Sequence, residues 1–163
     1  MFKYPKIEKM TNEQLAYFAG LLDGEGCIRI GQYKNVIGVK SYRGFIQIAM
    51  TSKNAIDWLK ENIGGGKYID YKKNNPNSKV CYYWTVNQKR GKCLIKRALP
   101  YLVVKRQQAL KFLQFCDTLQ PSGYRKRVPN KILSLRKILW ENMKLLNMKG
   151  VKYATLSQNR NTF

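Results

Sequence analysis

The sequence predicts an α+β domain: one four-stranded antiparallel sheet with helices packed on one face and the other face left open. Three observations predict it. Apolar residues recur at helical spacing, switch to alternation and repeat that switch, giving helix, strand pair, helix, strand pair and then further helices. At 163 residues and 44% hydrophobic, the chain can bury one good core, whereas two domains would each be marginal. The outward strand positions carry Arg and Lys among Tyr, Gln and Thr, in a chain with 31 Lys plus Arg against 9 Asp plus Glu.

The first clear element begins at Thr11, which forms a Thr-x-x-Gln capping box with Gln14 and predicts a helix from Asn12 to about Asp23. Leu15, Phe18 and Leu22 make an apolar stripe along it, and Ala16, Ala19 and Gly20 a second stripe of small side chains. The large stripe suits the domain's own core. The small stripe admits a close backbone, which is either a tight crossing within the chain or a second copy. After Gly26, Ile28 and Ile30 point inward and Arg29 outward, a turn-rich stretch runs from Gly31 to Gly44, and Ile46 and Ile48 resume the alternation. The outward face of this pair carries Arg29, Tyr33, Arg43, Phe45 and Gln47. A helix from about Lys53 to Asn62 follows, capped by Ser52 and stopped by Gly64-Gly65-Gly66. A second strand pair, Lys67 to Lys73 and Val80 to Val86, is joined by the turn signal Asn74-Asn75-Pro76-Asn77. Helices are then predicted from about Lys89 to Leu99, ending at Pro100, and from Val103 to Leu119, ending at Pro121-Ser122-Gly123. A basic loop leads past Pro129 to an amphipathic helix near Lys131 to Asn147, and the tail after Gly150 is polar.

A net charge of +22 repels itself unless a polyanion offsets it, and nucleic acid is the natural partner. No apolar run approaches the roughly 20 residues of a membrane span, and Met1-Phe2-Lys3-Tyr4-Pro5 lacks a signal-peptide core. The expectation is a soluble, intracellular protein with no membrane partner. A curved sheet rich in cationic and amide side chains suits a DNA major groove better than it suits bare solvent. The residues assigned to double-stranded DNA are Arg29, Tyr33, Lys34, Arg43, Gln47, Lys72, Lys73 and Tyr83. Cys27, Cys81, Cys93 and Cys116 form no close C-x-x-C pair and the chain has no histidine, so zinc is not expected and the thiols read as reduced packing residues. The lack of histidine also removes Ser-His triads and any imidazole base. Catalysis must then use carboxylates, lysines, water and metal. Abundant Lys, Asn, Ile and Tyr suggest an A+T-rich coding sequence, which fits a bacterial, phage or organellar origin.

The stretch Phe18-Ala19-Gly20-Leu21-Leu22-Asp23-Gly24-Glu25-Gly26 resembles the signature of the LAGLIDADG homing endonucleases, with Phe for the first Leu, Gly at the seventh position and Glu for the eighth-position Asp. The segment Leu99-Pro100-Tyr101-Leu102-Val103-Val104-Lys105-Arg106-Gln107-Gln108-Ala109 is similar to the family's approach to its later helix. The resemblance covers about residues 11–119 of a single domain, 1–163, and leaves 120–163 as an extra helix and tail. It implies the mixed αββαββα LAGLIDADG fold, whose sheet forms a DNA-binding saddle. It also implies a single-motif enzyme that acts as a homodimer and uses Mg2+ to cut both strands of a long, near-palindromic DNA, in intron homing. In that reading the motif helix packs on its copy through Ala16, Ala19 and Gly20 and brings each Glu25 to a scissile phosphate. Glu25, expected just beyond the helix, and the Gly24 carbonyl would be hard oxygen ligands for magnesium. Asp23 joins Glu25 in the catalytic set, with bracing the helix as its alternative role. Lys105 occupies the family's basic position near the reactive phosphate, where an ammonium organises water or stabilises charge, against the plainer reading of a surface lysine at a helix start. The family's strand-end Gln falls here at Met50 or Thr51, and Gln47 is assigned to DNA instead.

Two rivals remain. Asp70-Tyr71-Lys72 is a D-x-K triplet with Asp57 upstream, as in PD-(D/E)xK nucleases, but Asp57 lies in a helical pattern with Ile56 and Trp58. A non-cleaving LAGLIDADG relative that assists splicing or regulates transcription would keep the fold and lose the metal acid. Glu25 is retained, which favours cleavage and leaves host intron RNA open as a second partner.

Overall fold

The computed structural model describes residues 4–34, 38, 40–70, 79–120 and 128–148, the side chain of Asp70 excepted. Helix α1 (Pro5–Glu8), which the sequence does not announce, is tied down by Arg97, whose guanidinium donates to the carbonyls of Ile7 and, at 2.7 Å, Met10. Thr11 then starts α2 (Asn12–Glu25): its hydroxyl accepts the Gln14 N–H at 3.3 Å while the Gln14 side chain accepts the Thr11 N–H at 3.0 Å. Two donors that a helix start leaves unpaired are thereby satisfied. The helix runs two residues further than its apolar spacing predicts. The Gly26 N–H still reaches the Leu22 carbonyl, so Glu25 lies in the last helical turn rather than beyond it.

Gly26 is extended and opens β1 (Gly26–Lys34), which pairs with β2 (Lys40–Met50). The hairpin replaces most of the turn-rich stretch expected from Gly31 to Gly44. Beyond Ile30 the backbone ladder continues outside the apolar alternation, with Gln32 opposite Tyr42 and a 2.8 Å hydrogen bond from the Gln32 amide to the Tyr42 hydroxyl. Helix α3 (Lys53–Asn62) has the predicted limits and Ser52 cap. It ends because Gly64 and Gly65 take φ of 82° and 102°, a region side chains rarely adopt, and the Trp84 indole donates to the Gly64 carbonyl at 2.7 Å. β3 (Gly66–Asp70) and β4 (Cys81–Asn87) complete an antiparallel sheet of order β1-β2-β4-β3. The expected Asn74–Asn77 turn, and Lys72 and Lys73, lie outside the described residues.

Helix α4 (Gln88–Ala98) is capped by the Asn87 side chain, and a single 3-10 turn at Leu99–Tyr101 accommodates Pro100. α5 (Arg106–Asp117) begins three residues later than the Val103 start the sequence predicts. α6 (Asn130–Asn147) follows. Ile28, Ile30, Ile46, Ile48, Trp84 and Val86 line the inner sheet face and are buried against Phe18 and Leu22 of α2, Ile56 and Leu59 of α3, Ile95 of α4, Phe112 and Phe115 of α5 and Met143 of α6. Among the described residues these side chains form one core, with the helices on one face of the sheet as the patterning predicts. At the centre of β2, Gly44 leaves space for α5, since a Cβ there would stand 2.8 Å from the Phe112 ring. Arg136 is buried and caps α5, donating to the Thr118 hydroxyl at 2.9 Å and its carbonyl at 2.6 Å. The four cysteines are free, and burial pushes the Cys116 thiol up to about 12. Among the described residues no helix is long and apolar enough to cross a membrane.

Candidate nucleic-acid interface

The C-terminal end of α2 meets the segment that leads into α5. One oxygen of the Asp23 carboxylate accepts the N–H groups of Val103 and Val104 at 2.8 and 3.1 Å, and the other accepts that of Lys105 at 2.8 Å. The Lys105 ammonium donates in turn to the Asp23 carbonyl. The three N–H groups just ahead of α5, which would lack intrahelical partners even in a helix begun at Val103, are all satisfied by Asp23. The Asp23 carboxylate is thereby occupied from within the chain. Glu25, two residues on, is exposed in the last turn of α2, and so is Gly24. The last carbonyls of a helix lack intrahelical partners and form the negative end of its dipole, and no basic residue sits in this last turn. The exposed end of α2 is therefore a place where hard oxygen donors collect.

The small-residue stripe divides. Ala19 is fully buried in the chain's own core, so it is not available to a second copy as the sequence reading placed it. Ala16 and Gly20 are exposed one turn apart, and a Cβ added at Gly20 or Gly24 would meet nothing within 4 Å. Val103 and Val104, held beside this helix end by Asp23, are 82% and 64% exposed. An open face of small residues thus borders two outward-facing valines.

The face of the sheet away from the helices carries Arg29, Tyr33, Arg43, Phe45, Gln47, Tyr83 and Tyr68. They are interlocked. The Arg29 guanidinium lies 4.1 Å over the Phe45 ring and donates to the Gln47 Oε1 at 3.2 Å, while the Gln47 Nε2 donates to the Tyr68 hydroxyl. Tyr68 stacks on Tyr83 with centroids 4.6 Å apart and planes 7° from parallel, and Arg43 lies 5.4 Å over the Tyr33 ring. Lys34 is exposed opposite Lys40, but by alternation it falls on the side of Ile28 and Ile30, beyond the core, and does not share this face. Tyr68 was missed by sequence reasoning. Its signal is the register position opposite Tyr83, which a strand of five residues starting at Gly66 displays too briefly to read.

Asp57, the upstream acid of the rival D-x-K reading, sits on α3 and not on a strand. Hydrogen bonds from Lys53, at 2.5 Å, and from Lys67 hold its carboxyl below the usual carboxylate range. Its oxygens are engaged in linking α3 to β3.

A family model described as LAGLIDADG endonuclease matches residues 18–119. No curated protein is significantly similar to the chain. Among solved structures, the homing endonuclease I-CvuI, in complex with the I-CreI target in 2 mM Mg with the DNA not cleaved, is 18% identical with a TM-score of 0.68, over 86% of this chain and 85% of that one. An archaeal intron-encoded homing endonuclease complexed with DNA is 20% identical with a TM-score of 0.67, covering 90% and 92%. The group I intron-encoded I-CeuI, also complexed with DNA, is 14% identical with a TM-score of 0.63, covering 89% and 72%. These likenesses establish the fold: mixed α+β, with an open four-stranded antiparallel sheet.

Proposed function

Because the chain belongs to the LAGLIDADG endonuclease family, we propose that it is a homodimeric, site-specific homing endonuclease that hydrolyses both strands of a long double-stranded DNA. The observation that carries the reading is the position of Glu25. It is an exposed carboxylate in the last turn of α2, one residue before β1, where the motif helix runs into the open cationic sheet face. The sheet holds the duplex, and the helix end meets the phosphate to be cut. With 9 and 11 residues, β1 and β2 span about 30–36 Å, or roughly one turn of B-DNA, so one chain reads half a site and two chains about twenty base pairs. The exposed Ala16 and Gly20, flanked by Val103 and Val104, form the self-matching contact that a two-fold dimer needs.

Magnesium fits the donors present. Among the described residues no group of three or more His, Cys, Asp or Glu could hold a metal by itself, and Asp23 is occupied by N–H groups. Of the motif's own donors that leaves Glu25 and the Gly24 carbonyl. Such a small protein contribution suits an ion that is usually held by one or two carboxylates with substrate phosphates and water. When bound there it would supply Lewis-acid activation of water and neutralise charge at phosphorus. Asp23 is a positioning residue that fixes Lys105 through backbone bonds, and the Lys105 ammonium, anchored on the Asp23 carbonyl, adds positive charge beside the reacting phosphate.

The test is cleavage of duplex DNA spanning the insertion site of the protein's own gene, with magnesium and with EDTA, together with binding across a salt series. Double-strand breaks only with metal, and binding that weakens steeply with salt through counterion release, support the proposal. Binding without cleavage in magnesium would identify a non-cleaving member, and salt-independent binding would refute the DNA reading.

A further inference from the structure

Arg29 is held on the open face by contacts that leave most of its donors free. Phe45 stands directly opposite it in the β1–β2 register and lies under the guanidinium at 4.1 Å. Gln47, on the neighbouring diagonal of the same face, accepts one N–H at 3.2 Å. The orientation of the Gln47 amide is dictated by this bond, because a guanidinium has no acceptor and only Oε1 can face it. Its Nε2 then points the other way and is taken by the Tyr68 hydroxyl, which is itself fixed by the Tyr68–Tyr83 stack. A line of four side chains across β1, β2, β3 and β4 thus ends in one oriented cation. No carboxylate among the described residues forms an ion pair with it.

We propose that Arg29 is the guanine-reading residue of each half-site and that Gln47 is its positioning residue rather than a direct reader of bases; the inference rests on the DNA reading above. Guanine shows two acceptors, N7 and O6, in the major groove, and a planar fork of N–H donors on a rigid strand matches them two to two. Stacking on Phe45 and the bond to Gln47 fix the plane of that fork before DNA arrives, so little side-chain freedom is lost on binding. Each end of the Gln47 amide already holds a partner, and turning its donor–acceptor edge to an adenine would pull on the bond that orients Arg29. Position follows from the strand. β1 begins at Gly26, the residue after Glu25, and Arg29 is three residues along it, which at about 3.3 Å per residue is about 10 Å, or roughly three base pairs from the cut.

The test is selection from a random duplex DNA pool by the full-length protein in metal-free buffer, followed by sequencing, for the wild type, Arg29→Gln, Arg29→Ala and Gln47→Leu. Arg29 is exposed, and thermal melts that match the wild type are the control that the variants fold. The wild type is expected to enrich guanine by about tenfold at one position per half-site, roughly three base pairs from the cut. Arg29→Gln should move that preference to adenine and Arg29→Ala erase it, with the rest of the motif unchanged. Gln47→Leu should weaken the guanine preference severalfold without changing the base preferred. A motif unaltered by the Arg29 variants, or a base other than guanine at the position they alter, overturns the assignment while leaving the endonuclease reading intact. A wild type that enriches no motif overturns both.

Discussion

Asp23 and Lys105 hold one another through the backbone: the Asp23 carboxylate accepts the Lys105 N–H at 2.8 Å, and the Lys105 ammonium donates to the Asp23 carbonyl. Glu25, only two residues from Asp23, takes no part in this clasp. The two acids of the motif are therefore expected to fail in different ways. Asp23→Ala leaves three N–H groups without their acceptor and should lower stability by about 1–3 kcal/mol in urea unfolding, with cleavage falling as Lys105 shifts. Glu25→Gln should abolish cleavage at unchanged stability, with DNA binding within about tenfold of wild type, because it removes a metal-binding charge and little groove surface. Near wild-type nicking by Glu25→Gln would remove it from the mechanism.

Lys105→Ala is expected to slow single-turnover cleavage by about two orders of magnitude, a usual cost of losing one electrostatic stabiliser, while binding changes much less. Equal losses in binding and cleavage would make Lys105 a clamp on the DNA backbone.

Gly20 separates folding from assembly. Because nothing in the chain lies within 4 Å of a Cβ there, Gly20→Leu should leave the subunit at least as stable, helped by better helix propensity. It should also force the motif helices of a dimer apart and abolish double-strand cleavage although Glu25 is untouched. Sedimentation of wild type on its full-length site decides the premise, since one chain per site would end the dimer proposal.

Asp57 gives a pH signature unrelated to catalysis. Its carboxyl is held low in the folded state by Lys53 and Lys67, so its contribution to stability is present above the ordinary carboxylate range and disappears as pH falls through the lowered folded value. Asp57→Asn should therefore differ from wild type near neutral pH and converge with it in acid. The carboxylate is still partly open to solvent, so the gap is small, and unfolding curves that stay parallel down to low pH would refute the link.

What the sequence made legible is what local chemistry writes. Thr11 and Gln14, Ser52 and the alternating isoleucines each declare an element within a few residues, and the Gly-flanked Glu25 declares its exposure. The clasp was hidden because the partners of Asp23 lie some eighty residues away, and no spacing rule connects them. Ala16, Ala19 and Gly20 look alike as letters, yet a turn of the helix sends Ala19 into the core and leaves the other two in the open. The Arg29–Gln47–Tyr68 line depends on the register of three strand pairings, which alternation alone cannot fix.

Gly44 carries a mechanical consequence for a face it never touches. The missing side chain lets the Phe112 and Phe115 rings press into the back of β2, directly between Arg43 and Phe45 on the front. The seating of those rings against β2 therefore bears on where its neighbours Arg43 and Phe45 stand on the open face. A single methyl at Gly44 would act as a shim, pushing α5 outward and changing the pitch at which successive side chains follow a groove. Altered spacing between recognised base positions, with every recognising residue intact, is the fault such a shim would leave behind.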